Sequence, residues 1–381
     1  MKRICFYIVH PAPYRDRVLE EFCKDERYDV DIVYYRDIDE DHSEWNIELK
    51  RTDKIRYCEE VILLRRWGEY RPEAIRWFGE KEYDLVVVCG HHPYTSYRLI
   101  RLAQKRQIPY VYMCDTTQLP IDEHSVVKLN IVRKFFLKNM IKRAAALWVP
   151  GRAGHLYWKL FGQNCNIFEG SYTLDSEKLN VQWEQLPEKE VLKTQLGLPL
   201  ESKTFLFIGK LIPTRNIEVL LDAFLKLKEN MQSVSLIVIG DGEEEQKVLD
   251  YAKVMDTKSL LYIPRVQFAD LVQYYKASDI YVHPGEEPYS LAVAQAALHG
   301  LPVIATDKVG AVYDYIKDGE NGRVIMDITA DKLAQTMFEV ANHDEMLKKS
   351  DLRRIQMLSY RNVQWAVKEL TSMVEGVLGN D

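Results

Sequence analysis

The chain has 381 residues, 47% of them hydrophobic, with 51 Lys and Arg against 57 Asp and Glu. That length suggests two or three domains with ample apolar content for packed cores. No run of about 20 uncharged apolar residues occurs, which argues against a membrane-spanning helix. The start, MKRICFYIVHPAPYRDR, has only Ile4–Val9 as an apolar stretch and no small-residue cleavage site, so it reads as a first strand and not as a leader. Six cysteines (Cys5, Cys23, Cys58, Cys89, Cys114, Cys165) lack CxxC spacing, which points to buried free thiols in a reduced, cytoplasmic setting.

The net charge of -6 is uneven: residues 1–170 carry 28 basic and 25 acidic side chains. Residues 124–168 hold eight Lys or Arg and no acid. A basic surface of that kind attracts anionic lipid or an anionic ligand, although an ordinary helix with a basic exposed face accounts for it equally well.

In chain order, β-rich runs at Arg3–Val9, Tyr28–Tyr34, Leu85–Cys89, Tyr110–Cys114 and Ala146–Val149 alternate with helical stretches. Those stretches are Arg15–Lys24, Pro72–Gly79, Tyr94–Arg106, Val127–Ala144 and Gly154–Phe161. Residues 172–202 are polar and read as a linker with one short helix. The rhythm then resumes with strands Thr204–Ile208, Ser235–Ile239, Leu260–Ile263, Ile280–His283 and Pro302–Ala305. Helices Ile217–Asn230, Glu243–Val254, Phe268–Ala277 and Ser290–His299 separate them, and three helical stretches follow Val324. The last, about Asn362–Leu378, carries Trp365, Val367, Leu370 and Met373 at helical spacing, a packing face. Two successive βαβ series imply an α/β fold of two doubly wound, Rossmann-like domains.

In such sheets ligands bind beyond the carboxyl ends of the strands, and four ends in the second half stand out. In FLFIGKLIPTRN a buried strand ends at Gly209, where the missing side chain permits close approach, and Lys210 and Arg215 follow in a loop that opens a helix. Two cations and a helix N-terminus suit a phosphate or diphosphate, although such charges taken alone are more often merely solvated. LIVIGDGEEE ends in a Gly-rich turn without the third glycine of GxGxxG, and its acids argue against a pyrophosphate there. In DIYVHPGEEPYS a helix begins near Ser290, so the amides of Tyr289, Ser290 and Leu291 are left to meet an anion, and Glu287 can accept from ligand hydroxyls. Glu286 reads as an exposed first-turn acid. The fourth end, ATDKVGAVYDYIKDGENGR, passes Gly310 and closes in a hairpin-like turn.

These four sites in this order resemble the retaining glycosyltransferases of GT-B fold, specifically glycosyltransferase family 4 of the bacterial cell-surface polysaccharide type. The family pattern of an E-x7-E element followed by G-x-P-V-I-A-T is matched by HPGEEPYSLAVAQAALHGLPVIATDKVGA. The resemblance implies two domains facing a cleft: an acceptor domain at 1–172, a donor domain at 173–355, and a C-terminal helix at 356–381 packing back on the first domain. It implies that Glu287 holds the transferred sugar, that Tyr289, Ser290 and Leu291 offer backbone amides, and that Lys210 and Arg215 neutralise the leaving diphosphate. The base would lie near Asp241–Gly242 and Arg265–Val266. No metal and no cofactor are expected; a UDP- or GDP-sugar is a substrate.

Two departures stand out. The family's second glutamate, which resembles a ribose clamp, is Gln295 here, and an amide loses the charge-assisted strength of a carboxylate. Ser290 replaces the usual glycine. The first half matches more loosely, through HPAPYRDRVLEEF and WVPGRAGHLYWKLFG. His10, Tyr14 and Arg15 would face the cleft from the acceptor side, as would His92 and Asp115, with His91 as a candidate near the reacting carbon. The segment 127–143, with Lys134, Lys138 and Lys142 on one face and Leu129, Val132, Phe136 and Met140 on another, would fit an anionic membrane surface as well as an ordinary sheet-covering helix. A glycan or lipid-linked acceptor and no nucleic acid partner follow. A sugar-nucleotide epimerase, a phosphorylase and a non-catalytic binding relative are the rival readings, the last supported only by Gln295.

Overall fold

A computed structural model describes residues 1–37, 48–65, 68–90, 93–114, 140–160, 166–255 and 258–379. The chain divides into two compact units, Met1–Leu174 with Val363–Asp381, and Asp175–Asn362. Among the described residues no helix is long and apolar enough to cross a membrane.

The first unit contains β1 (Lys2–Ile8), β2 (Tyr28–Tyr34), β3 (Ile55–Tyr57), β4 (Ile62–Leu64), β5 (Gly68–Tyr70), β6 (Leu85–Cys89), β7 (Tyr110–Met113), β8 (Ala146–Trp148) and β9 (Asn166–Phe168). Seven of these form one sheet in the order β3-β2-β1-β6-β7-β8-β9, while β4 and β5 form a separate antiparallel hairpin. Every pairing in the large sheet is parallel, with Lys2 opposite Tyr28 and Ile8 opposite Tyr34 at its centre. A parallel strand covered on both faces cannot alternate in polarity, and the LVVVC of β6 is accordingly buried throughout.

On one face Val18, Leu19 and Phe22 of the helix Pro13–Phe22 pack with Ala366, Leu370 and Met373 of the last helix, Val363–Leu378. On the other, Phe78, Leu99, Ala103 and Trp158 close a second core. The last helix thus belongs to the first unit, and the chain returns to it after Asn362 rather than at 355. Its packing face uses Leu370 and Met373 as expected, but Val363, Ala366 and Val374 are the other buried members, while Trp365 and Val367 are only half-buried.

The second unit holds β10 (Lys203–Ile208), β11 (Val234–Ile239), β12 (Leu260–Ile263), β13 (Ile280–His283), β14 (Val303–Thr306) and β15 (Gly322–Ile325) in the order β12-β11-β10-β13-β14-β15, all parallel. The order reverses between β10 and β13, and such a switch point opens a crevice at the carboxyl ends of the two strands. Two helices, Ser176–Gln185 and Lys189–Gln195, occupy the stretch read as a linker with one. The DGENG turn is not part of a hairpin: Asp318 caps it by accepting from Val324 N at 2.9 Å, and it delivers the chain into β15, parallel to β14. Among the described residues four helices, not three, follow β15.

Candidate active site

The switch point of the second unit brings together two of the loops singled out in the sequence. After β10 the chain passes Gly209 and Lys210 and makes a single 3-10 turn at Pro213–Arg215. After β13 it passes Pro284, Gly285, Glu286 and Glu287 to the helix Leu291–Leu298. Glu286 N donates to Thr214 O at 2.7 Å and Asn216 Nδ2 to Pro284 O at 3.1 Å, so the loops are bound by one backbone pair and one side-chain amide. Gly285 makes this possible, because a Cβ there would lie 2.3 Å from Arg215 Cα and 2.4 Å from Thr214 O.

Across this seam Arg215 Nη2 lies 3.3 Å from Glu287 Oε1, and Arg215 Nη1 donates to the Glu286 carbonyl. The other carboxylate oxygen, Glu287 Oε2, lies 3.0 Å from His283 Nε2. A carboxylate only accepts, so His283 is the Nε2–H tautomer when neutral. Burial would raise the Glu287 pKa; the hydrogen bond from His283, the Arg215 charge and the Ser290 hydroxyl together hold it down to about 2. His283 is fully buried, its ring 5.9 Å from that of Phe207. Sequence reasoning passed over it because a histidine closing an apolar strand reads as core; its position four residues before Glu287 was the available signal.

The other cation, Lys210, sits 3.2 Å from Asp241 Oδ1. Arg265, at the end of β12, donates to the second oxygen of the same carboxylate. Burial would raise the Asp241 pKa, but Arg265 and Lys210 keep it below its ordinary value. Gly242 and Val266 lie on these same strand-end loops, and Val266 is half-buried.

The helix of the acidic loop begins one residue later than expected, with Ser290 as its cap. Ser290 Oγ accepts from Val293 N at 3.4 Å, and the first intrahelical bond runs from Ala294 N to Ser290 O. The amides of Leu291 and Ala292, ahead of that bond, therefore have no acceptor within the helix. Ser290 adopts φ +79°, a conformation that suits glycine. Tyr289 is buried and its carbonyl accepts from Ala311 N at 2.6 Å. Glu286 is exposed and pairs with Lys308, so only its backbone enters the seam. Gln295 is 1% exposed: its Oε1 accepts from Tyr275 Oη at 3.2 Å and its buried Nε2 has no partner among the described residues.

Residues 188–353 match the family described as Glycosyl transferases group 1. Among solved structures, WaaG, a glycosyltransferase involved in lipopolysaccharide biosynthesis, superposes with a TM-score of 0.66 at 14% identity over 97% of this chain and 99% of that one. The Anabaena protein Alr3699/HepE, crystallised with UDP, gives 0.69 at 17% identity over 98% and 100% of the two chains. The fold is GT-B. An uncharacterized glycosyltransferase of Haemophilus influenzae is 29% identical over 178 residues, 46% of this chain. That alignment spans 48% of the relative, so the chain matches about half its length.

The group 1 match contains every residue of the seam, from Lys210 to Gln295, and leaves out the residues expected on the acceptor side. Of these, His10, Tyr14 and Arg15 follow β1. His10 is half-buried, with Nδ1 2.8 Å from Pro11 O, and Arg15 Nη2 donates to His10 O at 2.5 Å. Tyr14 and Arg15 are both buried, the Tyr14 ring centroid 4.3 Å from that of Tyr172. His91, His92 and Asp115 lie outside the described residues, as does most of 127–143. No cluster of three or more metal-ligating side chains occurs among the described residues.

Proposed function

We propose that this chain transfers a sugar from a nucleoside diphosphate sugar to a hydroxyl acceptor, with retention of anomeric configuration and without a metal. The seam between Arg215 and Glu287 at the switch point carries the reading. It sets a guanidinium, the first-turn amides of a helix and a deprotonated carboxylate within one strand-end crevice. Such an arrangement can accept sugar hydroxyls at Glu287 and neutralise a departing diphosphate at Arg215 and Lys210. Charge that develops on the leaving group is met by groups already in place, which favours heterolysis of the sugar–phosphate bond. The nucleotide would extend toward Asp241, Gly242 and Val266, with Gln295 at the ribose. The group 1 match and the UDP-bound Anabaena structure support a nucleotide-sugar donor.

The acceptor would be a glycan or a lipid-linked glycan of cell-surface assembly, met at the cytoplasmic membrane face through 127–143. Both belong to the same proposal, supported by the acid-free run of sequence from 124 to 168. Thermal-shift screening of UDP-, GDP- and ADP-sugars identifies the donor, because a ligand that binds only the folded chain raises its melting temperature. Lys210→Ala and Arg215→Ala should each weaken binding of that donor about tenfold or more, the worth of one charge-assisted hydrogen bond. Binding that survives both substitutions would overturn the diphosphate site. Proton NMR of the product reads the anomer, and turnover in excess chelator reads the metal.

A further inference from the structure

β13 lies between β10 and β14 in the sheet, so the acidic loop that follows it has a neighbour on each side. The β10 loop takes Glu286 N on Thr214 O and leaves no room for a Cβ on Gly285. The other neighbour is the chain leaving β14 through TDKVGA, the fourth strand end of the sequence. His283 stands opposite Ala305 in the parallel pairing of β13 and β14, and beyond that register the two loops continue side by side. Glu287 N donates to Lys308 O and Gly310 N to Glu287 O, each at 3.0 Å, which makes a parallel bridge between Glu287 and Val309. Gly310 permits this approach, since a Cβ there would lie 2.0 Å from Pro288 O.

One side chain fixes both loops where they begin. Thr306, the last residue of β14, is 3% exposed. Its Oγ1 donates to Gly285 O at 2.6 Å and accepts from Lys308 N at 3.3 Å. A hydroxyl has one hydrogen to donate and two lone pairs to accept with, so both bonds form together. The first bond holds the seam glycine that packs against Arg215. The second holds the residue whose carbonyl anchors Glu287 N. Lys308 also pairs with Glu286, but those side chains are 43% and 49% exposed, and exposed pairs contribute little. A buried carbonyl that loses its donor is costly, so the Thr306 hydroxyl is the stronger constraint on the loop.

We infer that Thr306 is a positioning residue: through Gly285 and Lys308 its hydroxyl sets where the Glu287 carboxylate stands relative to Arg215. The positioning stands on the loop contacts alone, and only its effect on sugar transfer rests on the proposed activity. Thr306→Val keeps the branched shape and removes both bonds, whereas Thr306→Ser keeps the hydroxyl. A displacement of about 1 Å at a reacting group can cost about a hundredfold in rate, so a fraction of that shift is measurable.

Urea midpoints at pH 7 are compared with and without Glu287→Gln in the wild-type, Thr306→Ser and Thr306→Val backgrounds. The cost of Glu287→Gln should be clearly smaller in Thr306→Val than in the wild type, because the carboxylate has already lost its place, and unchanged in Thr306→Ser. With the donor identified by thermal shift, Thr306→Val should lower kcat about tenfold or more with little change in KM, and Thr306→Ser should restore most of the rate. If Thr306→Val does not fold, Thr306→Ala makes the same comparison. An equal cost of Glu287→Gln in every background would show that the hydroxyl stabilises the fold without placing Glu287, and would overturn the inference. A Thr306→Val chain that turns over at the wild-type rate would overturn it as well. A smaller cost in Thr306→Val, together with no sugar transfer by the wild type, would refute only the proposed activity.

Discussion

Arg215 and Glu287 come from different strands and meet at 3.3 Å, the guanidinium following β10 and the carboxylate following β13. Neither loop positions its side chain unaided. Arg215 is held by the Glu286 carbonyl, and Glu287 by His283 behind it. The contact thus couples the phosphate-side loop to the sugar-side loop before any ligand arrives.

The pH dependence of this contact follows from the direction of the Glu287 shift. Its folded pKa of about 2 lies below the ordinary 4.5, so the group contributes stability that is complete above the ordinary value. That contribution is lost as pH falls from about 4.5 toward 2. Glu287→Gln should lower the urea midpoint clearly at pH 7 and by much less at pH 3. Parallel midpoints for wild type and variant across that range would show that Glu287 is not the stabilised carboxylate.

Asp241 occupies Lys210 and Arg265 at once, the role a phosphate would otherwise take. Asp241→Asn leaves both cations without that partner and raises the local charge by one. Partly exposed pairs of this kind are worth about 1 kcal/mol or less, so UDP should bind a few-fold more tightly at low salt. The difference should fade at high salt, where screening is short-ranged. Calorimetric titration of UDP checks it, and weaker binding by the variant would instead assign the Asp241 carboxylate to the donor.

Much of this was legible before the fold was known, and what was missed has physical causes. Strands such as Leu85–Cys89 and Ile280–His283 declare themselves because both faces are buried and the apolar run is unbroken. β3 and β9 escaped notice as three-residue strands at the two edges of their sheet, where one side needs no cover. β15 begins with Gly322 and includes Arg323, which reads as turn. Within the site, Lys210, Arg215 and Glu287 stood out as charges at strand ends. The need for glycine at 285 depends on a neighbouring loop some 70 residues away in sequence, seen when Glu286 N reaches Thr214 O, whereas His283 lies only four residues from its partner Glu287 and was hidden by its place in an apolar strand.

Ser290 tests whether its backbone geometry is strained. Its φ of +79° disfavours any side chain, yet its hydroxyl caps the helix and supports Glu287. Comparing Ser290→Gly with Ser290→Ala cancels the hydroxyl, which both lack. The glycine variant should be the more stable by about 1 kcal/mol, since alanine keeps the strain. That amounts to a melting temperature about 2–4 °C higher in a unit of this size. Equal melting temperatures would mean that the loop relaxes to a negative φ.

Gln295 is the position where stability and binding should part company. Its carbonyl meets the Tyr275 hydroxyl and its buried amide nitrogen has no partner among the described residues, which leaves a donor unsatisfied at this point. Gln295→Glu removes that donor but sets a carboxyl in the same buried place with Tyr275 as its one described partner. Desolvation should lower the stability of the free chain by about 1–3 kcal/mol. If a ribose approaches here, the carboxylate gains charge-assisted bonds to its hydroxyls, and UDP should bind up to about tenfold more tightly. Differential scanning fluorimetry with and without UDP reads both effects in one experiment. A lower melting temperature in the free variant, with a larger UDP-induced rise, is the expected pair of results. A lower melting temperature with an unchanged UDP increment would remove Gln295 from the ribose site and leave it as packing against Tyr275.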